Sequence, residues 1–355
     1  MNRFLGTLIG SISTALWICL SGCYTVRIAY EHNNLYNARK KIDDVISDPE
    51  VSREKKEKLH IVKKVVAFAA DEGFETERAY NYFIDTKSME ISYLLQASKP
   101  DRFEFVTFWF PFVGRVPYLG FFDKSELKSE ALKLKDKGYD VSTSVVYGFS
   151  SLGWFEDPIY SPMLKNSAED LTHILFHELV HRSIWVKGEV EFNENLAEFL
   201  ANKLTEKFLS KEGKSDQLKK YLLEIKDDTL FKEWLLSLKE ELKNFYDIST
   251  QKNQKIEDIL EEKKRIIKKY KKERMPSFFS QEFKKMIEQK EWNNATILGA
   301  SLYFPDSNRF EKAFSCFKGE TFAKFIWILR QKLIESGDPF IALDNMCNVA
   351  YNRSE

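Results

Sequence analysis

The chain has 355 residues, of which 43% are hydrophobic and 30% charged, a composition ordinary for a soluble globular protein. Lys plus Arg and Asp plus Glu both total 54, so the formal net charge is zero, and the balance argues against nucleic acid as the main partner. Aromatic residues reach 14%, with 29 Phe and 15 Tyr, ample material for a core, and the length admits one large domain or two smaller ones.

Residues 1–23 read as an export signal. Arg3 supplies a positive start, Phe4 to Leu20 is an uncharged and mostly apolar run, and Leu20-Ser21-Gly22-Cys23 has the form of a bacterial lipobox. In such a signal the cysteine is lipid-modified and becomes the first residue of the mature chain, so Cys23 is the expected lipidation site. The alternative is an uncleaved signal anchor, for which the apolar run is barely long enough. Either way the body, 24–355, is expected outside the cytoplasm and tethered to a membrane, as in a lipoprotein of the bacterial cell envelope facing the periplasm or exterior. No later segment is apolar enough to span a bilayer.

Residues 24–50 are polar and helical in pattern. Over 51–98 a helical reading continues, with Ser52 as a start and Leu59, Val62, Val65, Val66 and Ala69 near one face; Gly73 punctuates it. The character changes near Ser98. Phe, Val and Tyr broken by Pro111, Gly114, Pro117 and Gly120 predict strands and turns, a short helix follows at Ser125–Lys137, and one or two strands are expected over 139–155. From Ser167 the pattern is helical almost to the end. Residues 203–290 are dense in Lys and Glu with spaced Leu, Ile and Phe, which predicts the solvated face of long amphipathic helices, a helical hairpin or coiled-coil-like arm. The predicted fold class is mainly α with a small β-sheet (α+β). The body divides into an N-terminal helical part (24–98), a sheet with the metal-site helices (99–202) and a C-terminal helical part (203–355). Cys316 and Cys347, the two cysteines outside the signal, either form one disulfide or stay as two thiols.

The chemistry concentrates at His177-Glu178-Leu179-Val180-His181, an HExxH pattern inside a helix that Ser167 or Asn166 can cap, with Glu169 and Asp170 in its first turn. Four residues advance about 400° around a helix, so both histidines project from one face and can grip one zinc ion. Glu178 sits beside them, within reach of a water on that ion. Leu171, Ile174, Leu175, Leu179, Val180 and Ile184 mark the helix as largely buried, where unpartnered imidazoles would be costly. A third ligand should come from a nearby helix. Asn193-Glu194 opens the next one, Glu194 and Glu198 share a face, and Glu189 and Glu191 in the intervening loop are the other acids that could serve.

An HExxH followed by a short loop and a helix beginning Asn193-Glu194-x-x-Ala197 resembles the gluzincin metallopeptidases. The resemblance implies a zincin-type core. It makes Glu194 the third zinc ligand and Glu198 the outer acid that orients His177 or His181. Further segments are similar to a narrower group, the bacterial lipoprotein-type predicted aminopeptidases: Gly114-Arg115-Val116-Pro117-Tyr118-Leu119-Gly120-Phe121-Phe122, then Gly153-Trp154-Phe155-Glu156-Asp157-Pro158, and more loosely Asn293-Asn294-Ala295 with Tyr303-Phe304.

The reading implied is a membrane-tethered zinc peptidase acting on peptide substrates, an aminopeptidase by the resemblance. The alternatives are a metalloendopeptidase and a binding or assembly module on a peptidase fold. Glu178 is the expected general base, and Tyr303 the expected donor to the developing oxyanion, with Tyr147 and His173 as the other candidates. The strand over 144–155 is the expected rail for an extended substrate backbone. His173, one turn before His177, is expected near the metal or facing substrate, and His32 and His60 on the surface.

Overall fold

The computed structural model describes residues 37–86, 92–110, 114–121, 123–146, 157–301, 307–317, 319 and 321–351. The export signal with Cys23, the residues Tyr147 and Tyr303, most of the 144–155 rail and the Gly153–Glu156 segment lie outside the described residues.

Mainly α with small sheets is the architecture observed. A two-residue strand β1 (Lys40–Lys41) leads into α1 (Ile42–Ser47) and α2 (Arg53–Asp71). Ser52 caps α2 by accepting from Lys55 N, and Leu59, Val62, Val65, Phe68 and Ala69 bury its inner face. Gly73 then turns the chain with a left-handed φ of 85°, and any side chain there would strike Ala323. Beyond Gly73 the helical reading of 51–98 is corrected: the chain forms β2 (Ala79–Ile84) and β3 (Ser92–Ser98). The aromatic and β-branched content of AYNYFI suits a pleated, half-buried surface better than another helical turn.

Strands β4 (Phe108–Phe110), β5 (Gly114–Val116) and β6 (Leu119–Phe121) follow, then α3 (Lys124–Asp136), β7 (Asp140–Val146) and β8 (Asp157–Tyr160). Asp123 caps α3 by accepting from Ser125 N and Glu126 N. Two small sheets result, in the orders β1-β2-β8 and β6-β3-β7, with a β4-β5 ribbon beside them. β3 and β7 pair antiparallel over seven residues, from Ser92↔Val146 to Ser98↔Asp140. Helix α3 covers this sheet with Leu127 and Leu134.

From Ala168 the described residues are helical almost throughout: α4 (Ala168–Ser183), α5 (Val190–Lys211), α6 (Ser215–Gln251), α7 (Ile256–Glu273), α8 (Gln281–Gln289), α9 (Asn294–Ser301), α10 (Ser307–Ser315), α11 (Phe322–Ser336), α12 (Pro339–Asp344) and α13 (Met346–Tyr351). The main core gathers α2, β2, β8, α4, α5, α10 and α11, with Phe68, Phe176 and Phe208 meeting edge to face. The charged segment does form a hairpin, α6 against α7, but it is more than a solvated face. Trp234, Leu238, Leu242, Ile259, Ile266 and Tyr270 give it a core of its own, joined by Trp292.

Buried polar contacts fasten this arm to the sheet. Lys263 donates to Asp140 (2.7 Å) and to the Pro100 carbonyl (2.9 Å), while Asn294 N donates to the same aspartate (2.7 Å). Asn293 donates to the Val141 carbonyl (3.0 Å), so the Asn293-Asn294-Ala295 run is an anchor between arm and sheet. Cys316 and Cys347 are paired in a disulfide. Among the described residues, no helix is long and apolar enough to cross a membrane.

Candidate metal centre

Helix α4 starts where the sequence says it should. Ser167 Oγ accepts from Asp170 N (3.0 Å), and Glu169 and Asp170 place negative charge at the positive end of the helix. Leu171, Leu175, Phe176, Leu179 and Val180 are fully buried, which pins the helix face and hence the direction of the two histidines. Helix α5 packs along it through Phe192, Leu196, Leu200 and Leu204. This helix begins at Val190, not at Asn193. Asn193 would serve as a cap, but its buried amide is engaged in the loop instead: Oδ1 accepts from Val186 N (2.8 Å) and Nδ2 donates to the Val186 carbonyl (2.7 Å). That clamp fixes the turn between the two helices and presents Glu194 from the first turns of α5. Glu189 and Glu191, the other acids of this stretch, are exposed to solvent.

His177, His181 and Glu194 converge. Nε2 of His177 lies 3.1 Å from Nε2 of His181, 3.4 Å from one oxygen of Glu194, and the other oxygen is 3.5 Å from His181 Nε2. Ligands about 2.0–2.1 Å from a tetrahedral zinc stand roughly 3.3 Å apart, so these spacings match a shared ion. Chemistry argues the same way. Two neutral imidazoles cannot face lone pair to lone pair at 3.1 Å; a proton or a cation must lie between them. His181 is 5% exposed and its Nδ1 has no partner among the described residues, so Nε2 is where this buried ring must find its bond. The donor set therefore fits a divalent metal.

The electrostatics show the demand for positive charge. Burial opposes a charged His177, but the hydrogen bonds it donates to Glu194 and Glu198 and the charges of Glu178 and Glu198 outweigh it and raise its pKa to about 10. For Glu194, burial pushes upward and its bonds to His177 and His181 pull harder, leaving it at about 2.

Glu198, one turn after Glu194, reaches His177 rather than His181: its Oε2 is 3.6 Å from His177 Nδ1. The same oxygen is 3.2 Å from His173 Nε2, and the carboxyl is held far below its ordinary range, against burial, by His173 and His177. His173, Glu198 and His177 are close enough to form a second ligand trio. That trio is already satisfied by hydrogen bonds. His173 Nδ1 pairs with Tyr221 Oη (2.8 Å), Tyr221 donates to Asn202 Oδ1 (2.6 Å), and Asn202 Nδ2 donates to Glu198 Oε1 (3.2 Å), closing a ring. Tyr221 and Asn202 were not singled out from sequence. Asn202 was within reach, since it follows Glu198 by one helical turn; Tyr221 comes from the arm, and nothing local marks it.

A cleft of about 900 Å³ opens beside Glu198 and Asn202, lined further by Leu222, Phe231 and Phe283. A larger cavity of about 1260 Å³ lies between α3, β7 and the α7–α8 side of the arm; its rim is rich in lysine and includes none of the residues of the candidate metal centre. Trp185, partly exposed, stands with its ring 5.3 Å from that of His181. His60 is on the surface, as expected.

The helical pair thus offers two imidazoles and a carboxylate to one point, a donor set able to hold a metal ion. The chain belongs to the family described as Putative aminopeptidase, whose model matches residues 23–335. Comparison with curated proteins and with solved structures returns no match.

Proposed function

We propose that this protein is a zinc metallopeptidase, an aminopeptidase of the gluzincin type, held at the bacterial cell envelope by a lipid on Cys23. The observation that carries the reading is the meeting of His177 Nε2, His181 Nε2 and the Glu194 carboxylate within 3.1–3.5 Å of one another. Family membership supports a peptidase over other hydrolases, and it alone favours an aminopeptidase over an endopeptidase. The Cys316–Cys347 disulfide supports a compartment outside the cytoplasm.

His177, His181 and Glu194 are the ligands in this reading. Zinc bound there supplies Lewis acidity, lowering the pKa of a water and polarising a carbonyl. Glu178, half-buried on α4 next to His177, takes the proton of the attacking water and returns it to the leaving amine. Glu198 fixes the ring of His177 through Nδ1, so that Nε2 is the free ligand nitrogen. The oxyanion donor assigned from sequence, Tyr303, stays part of the proposal. So does the rail over 144–155: among the described residues β7 is an edge of its sheet, and its last residues Ser144–Val146 are the first of that stretch.

The test is metal content by plasma mass spectrometry on the purified chain beside His177→Ala and Glu194→Ala, followed by digestion of free and N-acetylated peptides. Near-stoichiometric zinc, lost in both variants, with cleavage of free peptides alone, is the expected result. Interior cleavage of blocked peptides overturns the aminopeptidase assignment, and a chain that takes up no metal overturns the zinc site. Glu178→Gln should keep zinc and lose hydrolysis.

A further inference from the structure

The chain as a whole is neutral, yet the walls of the cavity of about 1260 Å³ between α3, β7 and the α7–α8 side of the arm carry seven lysines against three carboxylates. A concave surface dominated by one sign of charge focuses the field inside it and gathers ions of the other sign.

Two of these lysines build the cavity. Lys263, 7% exposed, binds Asp140 and the Pro100 carbonyl and so ties α7 to the sheet. Lys271 donates to the Glu288 carbonyl (2.6 Å) and joins α7 to the end of α8. The loop over 276–280 between those helices is fixed as well: buried Asp227 of α6 accepts from Phe279 N (2.7 Å) and Ser280 N (2.8 Å). Tertiary contacts therefore set the walls before any ligand arrives.

Three other lysines have no such task. Lys268, Lys272 and Lys284 line the cavity and form no ion pair or hydrogen bond among the described residues. Cations of α7 that do not line it are paired: Arg265 with Glu262 (2.9 Å) and Lys269 with Glu241 (3.4 Å). Lys264, on the cavity side, has only the exposed Glu261 at 3.7 Å. Lys264, Lys268 and Lys272 follow one another at single turns, an arrangement of like charges that weakens a helix unless a counter-charge opposes it. Ser280 lines the cavity too, and its shielded Oγ has no partner among the described residues.

We propose that this cavity is a binding site for a ligand bearing phosphate groups, held by Lys268, Lys272 and Lys284 with the Ser280 hydroxyl as an uncharged donor. A phosphate group brings nearly two negative charges and three acceptor oxygens, against one charge for a carboxylate, and so answers several ammonium groups lining one space. Lysine binds such a group as a point charge and needs no planar fork. The volume exceeds the roughly 1,000 Å³ of a pocket for a drug-sized ligand, which leaves room for an organic body beside Met275 and Trp292. The cavity shares no residue with the metal centre, so the inference stands or falls independently of the peptidase reading.

The experiment is calorimetric titration of the full chain with pyrophosphate, and with citrate for comparison, at about 0.15 M salt, where charges beyond about 8 Å are screened. Lys268→Gln/Lys272→Gln/Lys284→Gln should weaken pyrophosphate binding about tenfold, since three ion pairs are lost. Lys219→Gln/Lys252→Gln/Lys255→Gln removes the same charge from exposed positions outside the cavity and should leave the affinity unchanged. Absence of pyrophosphate binding, an equal loss in the two triple variants, or tighter binding of citrate overturns the proposal. Repeating the titration with the chain in nanodiscs separates two sources of the phosphate. Phosphatidylglycerol discs that abolish pyrophosphate binding, where phosphatidylcholine discs preserve it, place a lipid headgroup in the cavity; equal binding in both assigns a soluble ligand.

Discussion

Glu198 holds His173 and His177 with one oxygen, 3.2 Å from the Nε2 of the first and 3.6 Å from the Nδ1 of the second. A single carboxylate thus orients two imidazoles one helical turn apart, and its other oxygen is occupied by Asn202. Removing it frees the His177 ring to rotate. Glu198→Ala should weaken zinc binding about 10–100-fold, the usual cost of losing a partner behind a ligand, and His173→Ala should cost less. Competition against a chromophoric chelator measures both, and wild-type affinity in Glu198→Ala would refute the assignment.

Zinc affinity should depend on pH in a defined way. In the metal-free protein His177 is protonated up to about 10. A ligand imidazole must be neutral, so binding at lower pH expels that proton. The dissociation constant should fall about tenfold per pH unit and level off near the ring's own pKa. The same raised value stabilises the metal-free fold below the ordinary His pKa, and that stabilisation is lost as pH climbs through about 10. Calorimetry in buffers of different ionisation enthalpy counts the proton; a count of zero would mean His177 is not a ligand.

Asp157 and Arg182 form a buried pair, 2.6 Å apart, with side chains 4% and 5% exposed. Arg182 also bonds the Glu77 carbonyl. Taking away one partner strands the other charge, so Asp157→Ala should destabilise the fold by about 3–5 kcal/mol. Urea denaturation measures it. A loss under about 1 kcal/mol, the size of an exposed pair, would show that water reaches the site.

The disulfide between Cys316 and Cys347 closes a loop across 31 residues, from the end of α10 to α13. On chain-entropy grounds such a loop contributes about 4 kcal/mol. The Cys316→Ser/Cys347→Ser double variant should melt several degrees lower while keeping its zinc, because the bridge is on different elements from the metal helices. An unchanged melting curve under reducing and non-reducing conditions would show that the bridge does not form in solution.

Much of the site was legible. The cap at Ser167, the acids of the first turn and the i, i+4 histidines all lie within one helix, so local periodicity carries them. Glu194 follows from the resemblance of Asn193-Glu194-x-x-Ala197 to the gluzincins, and the fold brings its carboxylate to the two histidines, although the helix begins three residues before Asn193, whose amide is bound to Val186. Contacts set by tertiary structure were not legible. Tyr221 lies 48 residues from His173, in a Lys- and Glu-rich helix whose composition suggests only a solvated surface. The strands at 79–84 and 92–98 were hidden for a related reason: a strong amphipathic helix precedes them, and the change of period after Gly73 spans too few residues to stand out.

Helix α6 runs unbroken over 37 residues. Near its start Tyr221 bonds His173, and near its end Tyr246 bonds Asn294, which is fastened to the sheet through Asp140. The two tyrosines are 25 residues apart, about 38 Å of helix at 1.5 Å per residue. One stiff rod thus joins the ring of polar groups behind the candidate metal centre to the far end of the arm. A load that tilts the rod at either end must pull on the Tyr221 hydroxyl, so the arm is mechanically in series with the metal centre.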